Sequence, residues 1–106
     1  MRQPLVITIS HRLGRAEVKR RLDARLAEIR DQLAALSSAI EYGWADYRLD
    51  FTVVAMRQNI KGHIDIAEEW VRIEIALPLL LGMLADRITG RVRDGAARLL
   101  DGPGQR

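Results

Sequence analysis

Two histidines, His11 and His63, three serines, Ser10, Ser37 and Ser38, and no cysteine are what this chain offers for nucleophilic or metal chemistry. Without cysteine there are no disulfides, no thiolate catalysis and no cysteine-ligated zinc. A metal site ordinarily takes three or four ligands. His63 has only Asp65 beside it, two residues along one strand face, so cross-strand surface pairing is expected there. Ser10 and His11 are adjacent, but neighbours in a strand point to opposite faces, which works against a Ser–His dyad. The sequence contains no Gly-x-Ser-x-Gly elbow, no phosphate-cradling glycine loop and no His-Glu-x-x-His helix. Its carboxylates mostly alternate with cations, so no acid–base pair is indicated. The expectation is a protein with no catalytic residue, metal or cofactor, one that works by binding.

Two places could bind something. His11, Arg12 and Arg15 fall at a strand-to-helix junction, where they could hold the loop together or hold an anion at the helix N-terminus. Leu79, Leu80 and Met83 open the last helix but project away from its core-facing stripe. A first turn that is apolar all round cannot be buried by one sheet, and exposed apolar patches mark interaction sites. These three residues could tuck beneath a loop or line a ligand pocket between helix and sheet. The leading expectation is a contact with a second copy of the chain, another protein or an apolar surface.

The elements that position these residues follow from hydrophobic period. Leu5, Ile7 and Ile9 alternate in a strand that ends at Ser10. Gly14 can cap the following helix, with Glu17 near the positive end of its dipole. From Arg15 to about Leu36, Val18, Leu22, Leu26, Ile29, Leu33 and Leu36 recur at spacings of four and three, which predicts an amphipathic helix of about six turns. Ser37-Ser38 ends it. Four strands are then expected. Ile40, Tyr42 and Trp44 mark the first, and Ala45-Asp46 turns the chain. Tyr47, Leu49, Phe51, Val53 and Ala55 share one face of the second, followed by a turn at Arg57-Gln58-Asn59. Ile60, Gly62, Ile64 and Ile66 face inward on the third, and Ala67-Glu68-Glu69 turns again. Val71, Ile73, Ile75 and Leu77 face inward on the fourth. The opposite faces carry Arg48, Asp50, Lys61, His63, Asp65, Arg72 and Glu74, a solvated surface of mixed sign suited to cross-strand charge pairs. Pro78 can begin a helix, here expected from about Leu79 to Leu100 with a stripe of Leu81, Leu84, Ile88, Val92, Gly95 and Leu99.

The expected architecture is a two-layer α+β domain of order β-α-β-β-β-β-α. Both helices pack on the Leu49/Phe51/Ile64/Ile73 face of an antiparallel sheet of about five strands, and the first strand pairs with the last. Residues 1–100 form one domain and 101–106 a flexible tail. With 48% hydrophobic residues the chain can hold a core unaided. No secretory leader or transmembrane segment is expected. The longest uncharged run, Ile75 to Ala85, is about half the roughly 20 residues that span a bilayer, and a cytoplasmic protein is the default.

The charge of +3 and pI of about 9.9 raise nucleic acid as a partner. Residues 11–30 carry seven Arg and Lys against three Asp and Glu, a net +4. On a helical wheel, however, Lys19, Arg21, Arg25 and Arg30 fringe the apolar stripe on both flanks. There their stems would cover apolar neighbours while their heads reach water. A DNA-reading surface concentrates its cations on one face, so nucleic acid is the lesser reading.

Taken in order, Ile7-Thr8-Ile9-Ser10-His11-Arg12-Leu13-Gly14 with Ala16 and Arg20, then Trp44, Leu49 and Phe51, Gly62 and Ile64, Val71, Ile73 and Glu74, and Leu77-Pro78-Leu79-Leu80 resemble the bacterial family of polyhydroxyalkanoic acid system proteins. The resemblance spans about residues 5–100. It implies a cytoplasmic accessory of storage-polyester metabolism and brings no catalytic residue with it. The leading expectation is a non-enzymatic protein acting on a polyester granule, a protein of that metabolism or its own second copy. The alternative is a carrier holding an acyl chain between helices and sheet, and a basic nucleic-acid-binding module comes third.

Overall fold

The structure, a computed structural model, describes residues 3–101, with Gln3 described by its backbone alone. Of the expected tail, residues 102–106 lie outside the described residues, and Asp101 is the C-cap of the last helix. The elements run β1 (Gln3–Ser10), α1 (Arg15–Ala35), β2 (Ala39–Ala45), β3 (Arg48–Ala55), β4 (Gln58–Ile66), β5 (Trp70–Leu77), a 3₁₀ segment (Leu79–Leu84) and α2 (Ala85–Leu100). The five strands form one antiparallel sheet of order β1-β5-β4-β3-β2, and β1 pairs with β5 from Gln3↔Leu77 to Ser10↔Trp70. This is the expected α+β architecture, first strand included.

The period-2 pattern of the strands places Ile7, Leu49, Ile66, Val71, Ile73, Ile75 and Leu77 in the core, all nearly inaccessible to water. Val18 and Leu26 of α1 and Leu100 of α2 cover them, so both helices lie on one face. α1 lies against β2 and β4, and α2 against β1. Because α1 follows β1 and α2 follows β5, the helices run antiparallel across the sheet. They meet where Arg21 reaches the last turn of α2.

Several local expectations shift. Leu36 is 75% exposed rather than part of the α1 stripe, because α1 stops at Ala35 and the chain reverses through Ser37 (φ 58°). Ser38 N donates to the Leu33 carbonyl, closing a Schellman-type end. The β3–β4 turn is Met56-Arg57, one position before the expected turn. Both residues have positive φ (53° and 62°), as a two-residue type I′ hairpin demands. Tyr47 belongs to the β2–β3 turn, not to the strand. The helix expected from Leu79 opens instead as 3₁₀ and becomes α-helical only at Ala85.

The uncovered face of the sheet is charged, and the register brings opposite signs together. Arg48 pairs with Asp65 (Nε–Oδ1 2.8 Å), and Arg72 approaches the same carboxylate (3.8 Å). His63 stands 3.6 Å from both Asp65 and Glu74. The hydrogen bond from Arg48 holds the Asp65 carboxyl below its ordinary range.

Candidate functional site

At the strand-to-helix junction, His11 is buried. Its Nδ1 accepts from the Leu13 amide (3.2 Å), which leaves Nε2–H to donate to the Ala67 carbonyl (3.1 Å). Both ring nitrogens therefore serve to join the β1–α1 and β4–β5 loops. Gly14 stands in the left-handed region (φ 81°), and the first amide of α1, Arg15 N, donates to Glu68 Oε1 (2.9 Å). The positive end of α1 already holds a carboxylate of the chain itself. Arg15 also reaches Glu68 (3.9 Å) and stacks over Tyr47 (4.5 Å), while Arg12 is exposed. Glu68, read in the sequence only as turn chemistry, is the group that meets the helix terminus.

The cations of α1 are largely engaged within the fold. Lys19 donates to the Asp46 carbonyl (2.6 Å) beside Trp44 and Tyr47, and Arg20 pairs with Glu17 (2.6 Å). Arg21 corrects the wheel reading, which put its head in water. It is 9% exposed, pairs with Glu17 (2.7 Å) and donates from Nη1 to the carbonyls of Leu99 (2.9 Å) and Leu100 (3.3 Å). A guanidinium thus closes the carbonyl end of α2, where a cation meets the negative pole of the helix.

Hydrogen bonds from Arg20 and then Arg21 lower the Glu17 pKa from 4.5 to about 2. A depressed carboxylate contributes stability that is present above the unfolded value and lost as pH falls through the folded one. Stability is therefore expected to fall between about pH 4.5 and 2. Glu17→Gln should flatten that part of the curve, as urea unfolding at stepped pH would measure. An unchanged slope would contradict the linkage.

Leu79, Leu80 and Met83 are 68%, 73% and 89% exposed, while Leu81 between them is buried. The 3₁₀ geometry, with side chains every third residue in line, turns one leucine of the run inward and the others out. The register adds two residues that the sequence reading does not place in this patch. Ala39↔Val54 and Ala55↔Gln58 put the α1–β2 and β3–β4 connections at the same end of the sheet as Leu77. Exposed Leu36 and Met56 therefore stand at that end with the 3₁₀ segment. No sequence period could have grouped them, since three separate connections supply them.

Among the described residues, no group of three or more His, Asp or Glu side chains could hold a metal ion. No helix among them is long and apolar enough to cross a membrane. Fold and surface together define a small α+β domain with one charged open sheet face and an apolar sheet end. The chain belongs to the family described as "Putative polyhydroxyalkanoic acid system protein", which matches residues 5–100. The family name links the chain to polyhydroxyalkanoate systems. No curated protein and no solved structure matches it.

Proposed function

We propose that the chain is a cytoplasmic, non-enzymatic accessory protein of polyhydroxyalkanoate metabolism that docks on the apolar surface of the polyester granule. The observation that carries this reading is the set of exposed large apolar side chains, Leu36, Met56, Leu79, Leu80 and Met83, at one end of the sheet. An array drawn from three connections suits an extended apolar surface better than a small pocket. Met56 strengthens the point. Its left-handed turn position favours Asn or Gly, yet an exposed thioether side chain stands there. The family's polyester supplies a surface of the matching chemistry.

The test is the double substitution Leu79→Glu and Met83→Glu, read by co-sedimentation with purified polyester granules, analytical ultracentrifugation and circular dichroism. The expected result is a folded protein with at least about tenfold weaker granule binding, because two charges would have to enter an apolar contact. The fold should persist, since buried Leu81 is untouched. Unchanged granule binding by the folded variant would overturn the reading. Loss of a dimer with granule binding intact would overturn it too, assigning the patch to a second copy of the chain.

A further inference from the structure

Between the helices lies a cleft of about 270 Å³ with an almost wholly apolar lining. Leu22 and Ile29 of α1 face Val92 of α2 across it, and Ile73 of β5 forms part of the floor. Arg25 from α1 and Arg91 from α2 complete the walls mainly with their aliphatic stems, and both side chains also reach solvent. The Arg25 side chain is 42% exposed and pairs loosely with Glu28 (3.8 Å), but its Nε atom is buried without a hydrogen-bond partner. Arg91 makes no hydrogen bond or ion pair among the described residues. A buried donor without a hydrogen bond is costly, and an anion at Arg25 would relieve that cost. Gly95, in the interior of α2, keeps the wall open. A Cβ there would meet nothing within 4 Å, although glycine destabilises a helix interior relative to alanine.

Apolar walls flanked by two arginines suit an amphipathic anion of limited size. If each heavy atom takes about 30 Å³, the share of one water molecule in the liquid, the cleft holds roughly nine heavy atoms. That is one medium acyl tail, and too little for a two-chain lipid. We infer that the cleft binds a medium-chain acyl carboxylate, its tail between the helices over Ile73 and its carboxylate on Arg25 and Arg91. Guanidinium and carboxylate make short, charge-assisted hydrogen bonds, and the tail replaces water against Leu22, Ile29 and Val92. This site is separate from the apolar end of the sheet and does not depend on granule docking.

Isothermal titration with decanoate, decanol and acetate tests it on the whole chain. Decanoate should bind saturably, one per chain, and acetate should not bind. Arg25→Gln with Arg91→Gln should weaken decanoate by at least about tenfold, the loss of roughly one charge-assisted hydrogen bond, and leave decanol unchanged. Gly95→Leu should remove both ligands while thermal unfolding stays cooperative. Should that variant not fold, the arginine pair, on the solvent side of the cleft, still decides the matter. The Leu79→Glu, Met83→Glu protein should bind decanoate normally, which separates this site from granule docking. No saturable decanoate binding, equal losses of decanoate and decanol in the arginine variant, or full binding by folded Gly95→Leu would each overturn the inference.

Discussion

Replacing Phe51 with alanine is expected to destabilise the domain by about 3–5 kcal/mol, toward the lower end because the ring is only half-buried. Phe51 packs against the core cluster, and the β3–β4 register sets it opposite Gly62. The absence of a side chain at Gly62 gives the ring its seat. A Cβ there would lie 2.7 Å from Phe51 Cζ and 2.5 Å from the Glu74 carbonyl oxygen. An aromatic ring laid over a cross-strand glycine covers backbone that would otherwise face the helices bare. Truncating Phe51 removes its apolar contacts and uncovers that backbone together. The converse change, Gly62→Ala, overpacks the site and should cost about 1–3 kcal/mol. The double mutant should be less than additive, since removing the ring relieves the side-chain clash but not the one with Glu74. Urea unfolding followed by circular dichroism measures both. A loss below about 1 kcal/mol for Phe51→Ala would place the ring outside the core.

Arg21→Met should cost about 2–3 kcal/mol, although it substitutes an apolar stem of similar length. The guanidinium joins three partners: the Glu17 carboxylate and the carbonyls of Leu99 and Leu100. Removing it takes the guanidinium from the end of α2, where Leu100 is buried and Arg98 is the basic residue of the last turn. Glu17 is less affected, because Arg20 still pairs with it. Arg21→Lys should recover only part of the loss, since an ammonium cannot reproduce a planar fork that spans two carbonyls and a carboxylate. Both variants should unfold at lower urea concentration, with α2 losing amide-exchange protection first. Unchanged stability in Arg21→Met would mean that the contact at the helix end contributes nothing.

These two residues mark what could be read from the chain and what could not. Phe51 was legible because strand period is strict. Leu49, Phe51, Ile64 and Ile73 alternate with charged neighbours, and a one-residue slip would have turned all of them to water. The same pattern foretold the charged pairs across the open face, since Arg48, Asp65 and Arg72 follow from register once strand order is known. Arg21 was misread because a helical wheel ranks residues by angle from an apolar stripe. Whether a flank meets water or another helix is decided by where that helix ends.

The sequence by itself determined the element order, the one-sided antiparallel sheet and the outward set of Leu79, Leu80 and Met83, and it favoured the pairing of the first strand with the last. All of these rest on short-range period, on turn residues, or on the rule that a strand needs an antiparallel neighbour within reach. Tertiary structure alone decided the rest. It brought Leu36 and Met56 to the sheet end that carries the 3₁₀ segment. It set Glu68 against the first amide of α1, and Arg21 against the last carbonyls of α2. It held the helices far enough apart, beside Gly95, to leave a cleft between Arg25 and Arg91. Each of these joins residues far apart in the chain, through loops and splayed helices whose geometry no local period encodes.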